Sequence, residues 1–434
     1  MNRFPRPRLH CRFLSAPPAL RLRAAHAIVG ALLPVQSPPC APPTPRQTPC
    51  SPAPLLCAPP RTRPSISAPS SAPPRAPNTR SFACSQVVVH ARTYAATATA
   101  ADDATVEWDP EGPAVPLPRL PFRFETGVGL FPKETKTRPF PPPFLSPPSG
   151  SFSDALSTHG RPKVNGQLLR GVTNGDDAVY AGDYFICAND GVGAWSKRPR
   201  GHAGLWSRLL LHFWVTAIEK DTLRHADPDP SAPLHCRPYE PDAIAYLEEA
   251  HAAVTRVTTG PAEYFGTTTA TGAQLHFRLT DSSSSPCTPQ PRPIVHVTNL
   301  GDSQVLIVRP STRQVVFRSE EQWHWFDCPR QLGSNSTDSA RENAQVTAVD
   351  VQVGDVVLAM SDGVIDNLWG HEVVDVVLHA MERWTANEAA EQHAGSQMQF
   401  TAQALLDAAK VVAMDVYAES PYMERAIDMG AMYE

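Results

Sequence analysis

Three short apolar runs in this chain end on an aspartate beside a glycine, and that limits the folds open to it. Tyr184 to Ala188 leads into Asp190-Gly191, Ile294 to Val297 into Gly301-Asp302, and Val356 to Met360 into Asp362-Gly363. Runs of this length and character read as strands, and glycine lets the backbone turn sharply where each one stops. A carboxylate then projects from every tip. Gathered at one place, such tips line a hole with oxygen, the ligand set of hard divalent cations. A sheet that brings distant strand ends together is therefore expected.

Proline limits where that sheet can lie. Of 47 prolines in 434 residues, 32 precede residue 151, and a stretch so punctuated is a poor source of buried core. No Asp or Glu occurs before Asp102, against twelve arginines. Residues 1–100 thus have the composition of a disordered mitochondrial transit peptide. Arg80 and Arg92 each precede an aromatic by two positions (Phe82, Tyr94), as in matrix-peptidase cleavage contexts. The expected organisation is a head over 1–100, a linker over 101–118 and one domain over 119–434. With a net charge of −5 and a basic head, that domain is acidic, which disfavours nucleic acid as a partner and suits cations. The longest clean apolar run, Ala27 to Leu33, is too short to span a bilayer. No cysteine pair has C-x-x-C spacing, which argues against a zinc site.

Periodicity predicts a mixed α+β domain. Strands are expected at 120–125, 178–181, 184–188, 267–271, 274–279, 294–299, 304–308, 314–318, 345–350 and 356–360. Helices are expected at 203–219, 242–257, 370–383 and 401–417, with Pro421 opening one more. Asp176-Asp177 stands at a strand entrance, where neighbouring residues face opposite ways. One of the pair can face the centre directly and the other acts through water. Asp190 can bridge two ions, the Gly191 carbonyl adds a neutral ligand, and Asp362 closes the set. Two cations sharing a water lower its pKa and hold it in line with a phosphorus atom.

The segments Gly175-Asp176-Asp177-Ala178, Asp190-Gly191-Val192-Gly193-Ala194-Trp195, Asn299-Leu300-Gly301-Asp302-Ser303 and Ser361-Asp362-Gly363-Val364-Ile365-Asp366-Asn367 resemble those of metal-dependent serine/threonine protein phosphatases of the 2C (PPM) type. With Glu321-Gln322-Trp323-His324 and Pro329-Arg330-Gln331-Leu332 they look like the mitochondrial branch. The resemblance implies two packed antiparallel β-sheets flanked by helices, an α/β/β/α sandwich. It also implies two Mn²⁺ or Mg²⁺ ions held by Asp176, Asp177, Asp190, Gly191 and Asp362, and a third metal at Asp302 and Asp366. Phosphoproteins are the implied substrates, and a monomer in the mitochondrial matrix the implied form.

The chain departs from the family pattern in four places. The acidic pair is Asp-Asp rather than Glu-Asp. Val192 stands where many members carry histidine. Val172 stands where a phosphate-binding arginine is usual, with Arg170 as an out-of-register substitute and Lys163 as a looser one. The family's further strand with a D-D-x-[ST] motif does not appear before Glu434, so a neighbouring strand is expected to lack its partner. That last feature supports a rival reading, a catalytically impaired phosphatase-like protein that binds phosphoproteins.

Overall fold

The apolar runs pair into two antiparallel sheets. The computed structural model describes residues 25–34, 116–131, 140–141, 144, 162–229, 232, 234–260, 263–280, 290–386 and 395–430. The cleavage contexts at Arg80 and Arg92 lie outside the described residues. In chain order the main strands are β1 (Ala25–Pro34), β2 (Phe122–Phe131), β3 (Val172–Asn174), β4 (Asp177–Ala181), β5 (Phe185–Asn189) and β6 (Ala270–Thr280). They continue with β7 (Gln290–Leu300), β8 (Gln304–Arg309), β9 (Gln314–Arg318), β10 (Gln345–Asp350) and β11 (Val356–Met360). The helices are α1 (Ala203–Arg224), α2 (Ala243–Thr258), α3 (Ala340–Asn343), α4 (Asp362–Ile365), α5 (Gly370–Thr385), α6 (Gln397–Met414) and α7 (Pro421–Asp428).

One sheet runs β9-β8-β11-β1-β2 and the other β10-β7-β6-β5-β4-β3. Alternate residues of each strand feed different layers, as a pleated backbone requires. Ile186, Leu275 and Val295 of the six-stranded sheet meet Phe124, Ile307 and Val357 of the five-stranded one. Phe185 and Cys187 turn the other way, onto α1 and α2. Leu306, Val308, Leu358 and Met360 turn onto α5 and α6. The result is an α+β fold of two packed antiparallel sheets flanked by helices, in α/β/β/α order.

Local chemistry sets the helix starts. Asp242, Ser396 and Ser420 each accept a hydrogen bond from a first-turn backbone N–H, and Pro421 follows the last of them. β2 carries Gly127 and Gly129 because α6 lies directly on it: a Cβ at Gly127 would meet the Met398 carbonyl oxygen at 2.1 Å. Gln399 of α6 then caps the open edge of β2. Its amide accepts from Val128 N at 3.1 Å and donates to Val128 O at 2.9 Å.

Two expectations need correction here. Residues 1–100 contribute a strand after all. β1 sits inside the five-stranded sheet, pairing with β2 on one side and β11 on the other. The run Ala27 to Leu33 was judged by its length against a bilayer, whereas a sheet needs only a few apolar residues. The expected strand without a partner is not β11, which is paired along both edges, with β8 and β1.

Candidate metal centre

Strand register brings the tips together. Ala178 pairs with Asn189, which puts Asp177 and Asp190 at the same end of neighbouring strands. Asn299 pairs with Thr271, and Gln304 with Met360, so Asp302 and Asp362 leave their strands at that end too. Asp177 is buried, and its Oδ1 accepts from Gly191 N at 3.2 Å. Asp190 is fixed by its backbone: its N–H donates to Thr269 Oγ1, and its carbonyl accepts from Thr269 N and Thr268 Oγ1, all at 2.9 Å. No side chain fits at Gly191, where a Cβ would meet the Asp176 carbonyl oxygen at 1.9 Å. That carbonyl also accepts from Ser207 Oγ on α1 at 2.7 Å, which ties the acidic pair to the helix. The Asp176 carboxylate lies near Gly193, its Oδ2 3.5 Å from where a Cβ on that glycine would stand.

The electrostatics follow from crowding. The pKa of Asp190 is raised well above the usual carboxylate range, first by burial and then by the charges of Asp177, Asp362 and Asp302; a hydrogen bond with Asp362 adds to the shift. Like charges this close hold a proton between them unless a cation replaces it. Among the described residues, no three His, Cys, Asp or Glu side chains surround a single metal-sized point. The donor set itself is all oxygen, acidic and rigidly backed. It fits hard dications, and protein residues already hold its backbone in place.

Asp302 and Asp366, expected as a pair, go different ways. Asp302 is buried beside Asp190 and accepts from Trp323 Nε1 at 3.3 Å. Asp366 is buried beyond it, and its Oδ1 bonds the Arg425 guanidinium of α7. Arg425 also donates to Glu321 Oε2 at 3.0 Å and lies over the Trp323 ring, 5.2 Å from its centroid. Burial raises the pKa of Glu321, Arg425 and Arg318 oppose that, and Asp362 adds to it. Glu321, Trp323 and Arg425 thus form a wall of the site whose roles sequence reasoning did not assign. The adjacent Glu321-Gln322-Trp323 motif was visible, but nothing in it pointed to residue 425.

Arg170 does not belong to the centre. Its guanidinium bonds Glu219, and its backbone N–H donates to His212 Nδ1 at 3.3 Å. Glu219 lies twelve residues past Ser207 on α1, about 18 Å further along the helix at 1.5 Å per residue. Proximity in sequence to Asp176 was a poor guide because the side chain runs down α1, away from the strand tips. Lys163 is held in a short ladder between Lys163–Val164 and Gln167–Leu168.

No family model matches the chain. It is 30% identical over 268 residues to "Probable protein phosphatase 2C 80" of Arabidopsis thaliana, covering 60% of this chain and 51% of that protein. Over 144 residues it is 34% identical to "Protein phosphatase PTC7 homolog" of Danio rerio, covering 31% of this chain and 44% of the relative. The X-ray structure of the photosystem II phosphatase PBCP aligns with 60% of this chain and 82% of that one, at 24% identity and a TM-score of 0.42. The chain spans about half the length of the curated relatives it matches, 51% and 45% for the first two.

Proposed function

We propose that the chain is a member of the protein phosphatase 2C family, which its relatives support, and a metal-dependent protein serine/threonine phosphatase using two Mn²⁺ or Mg²⁺ ions. The observation that supports this best is the gathering of Asp177, Asp190, Asp302 and Asp362 at one end of the sandwich, set by strand register and close enough that the other three raise the Asp190 carboxyl. Such a cluster is costly without cations and suits them.

Asp190, Asp177, Asp362 and the Gly191 carbonyl would hold the ions directly, with Asp302 beside them and Asp176 acting through water. When bound, the ions supply Lewis acidity and a water of lowered pKa. The protein supplies placement. Thr268 and Thr269 hold the Asp190 backbone, Gly191 N–H orients Asp177, and Ser207 holds Asp176. The residue after Asp190-Gly191 is Val192, which can donate no side-chain proton, so the leaving oxygen would take its proton from water or another group. Arg425 holds Glu321 and Asp366 through its guanidinium.

Phosphoserine and phosphothreonine proteins are the substrates in this reading, acted on by a single chain. The arginine-rich, acid-free head supports delivery to mitochondria. No helix among the described residues is long and apolar enough to cross a membrane.

The test is hydrolysis of p-nitrophenyl phosphate with Mn²⁺ and with chelator, alongside Mn²⁺ titration by calorimetry. Wild type should hydrolyse the ester only with metal, and Asp190→Ala should lose both heat of binding and turnover. Equal hydrolysis by Asp190→Ala, or turnover that survives chelation, overturns the reading.

A further inference from the structure

β1 comes from the head yet lies inside the sheet that carries Asp362. Its ladder with β2 runs from Ala25 opposite Phe131 to Pro34 opposite Phe122, and its ladder with β11 from Ala27 opposite Met360 to Ala31 opposite Val356. Leu32 is completely buried between the two sheets. Gly30 lies against the Phe124 ring, where an added Cβ would come within 3.3 Å of Cδ1. At the far end, Leu32 N donates to Asp355 O at 3.1 Å and Gly354 N donates to Leu32 O at 3.0 Å. α6 packs across both β1 and β2.

Take β1 away and β11 stands two strand spacings from β2, roughly 9.6 Å, with ladder groups unpaired on both. Bare edges of that kind either close together or recruit another strand. Closing them would shift β11, and Asp362 follows β11 after a single residue. The 87 residues between Pro34 and Phe122 are no obstacle to this pairing, since loop-closure entropy rises only with the logarithm of length.

We propose that the gap between β2 and β11 is a strand-acceptor slot, that Ala25–Pro34 is its occupant, and that the sandwich is complete only with this segment seated. A leader excised after Arg80 or Arg92 would therefore have to leave β1 behind, held without a covalent link. That the slot bears on catalysis rests on the phosphatase reading; that β1 fills it does not.

The test uses the full chain with a protease recognition site inserted after Pro45. After folding and cleavage, amide hydrogen exchange is followed at Val356–Met360 and Phe122–Phe131, with Gln290–Leu300 as the internal reference. The excised fragment should remain bound under native gel filtration, and a tenfold excess of labelled Ala25–Pro34 peptide should exchange with it. In a second variant, Gly30→Val in the uncleaved chain, exchange at Val356–Met360 and Phe122–Phe131 should rise at least tenfold relative to the reference strand. A fragment that leaves while β11 and β2 keep their protection overturns the proposal, as does a Gly30→Val chain with unchanged exchange at both strands. None of these readouts uses turnover, so an inactive protein with a protected β11 would count against the phosphatase reading alone.

Discussion

Arg425 reaches from α7 to Asp366 on one side and Glu321 on the other, with its guanidinium over Trp323. Removing one partner of a buried ion pair leaves the other charge uncompensated, which is where most of the cost lies. Arg425→Ala strands two carboxylates at once. Because the arginine keeps some exposure, the loss should be about 2 kcal/mol, below the range for fully enclosed pairs. Urea unfolding with and without Mn²⁺ checks this, and Arg425→Lys should recover part of the loss. An unchanged midpoint for Arg425→Ala would mean the contact contributes nothing. The gathering of Asp190, Asp302 and Asp362 was legible in the sequence because each sits beside a glycine just past an apolar run. Arg425 was not, because its partners lie 59 and 104 residues away and an arginine on a short helix carries no local signature.

At the level of elements, β2 and α6 are in closer contact than side chains on both surfaces would allow. Gly127→Ala should drive a methyl into the Met398 carbonyl, move α6 and break the double hydrogen bond from Gln399 to Val128. A loss of about 3 kcal/mol or more is expected from such overpacking against backbone, measured by thermal unfolding. A conservative change at the exposed Val411 of α6, Val411→Ala, should stay within about 0.5 kcal/mol. These glycines also explain a misjudged boundary. The strand expected at 120–125 instead runs from Phe122 to Phe131, through two glycines, poor strand formers that the helix above it demands. By contrast 314–318, 345–350 and 356–360 matched the structure residue for residue, being apolar runs with no competing requirement. β1 was hidden by its surroundings: arginine and proline on both sides outweighed ten residues that form a strand.

Across the whole molecule, buried histidines set the acid limit. Burial, with the Arg170 and Arg208 charges adding, pushes His212 down to about 3. Burial likewise pushes His276 down to about 4, where its Nε2 donates to the Tyr239 carbonyl at 2.8 Å. Unfolded, both titrate near 6.5, so below that pH the unfolded chain binds protons that the folded one refuses. Stability from these groups is full above pH 6.5 and falls as pH drops toward 4, by up to about 1.4 kcal/mol per pH unit for each. Urea midpoints at pH 7.5 and 5 should show the fall, and His276→Gln should flatten its slope. A midpoint that rises on acidification would contradict the assignment.

The pairing of Ala27 with Met360 also has a consequence in time. On a ribosome adding roughly 5–20 residues per second, the first strand waits on the order of 20 to 60 s for its later neighbour to be made. During that interval an apolar decapeptide amid arginines has no home, and it is open to chaperones, import receptors or other chains. How well this protein is produced will depend on what holds that segment until the sheet can receive it.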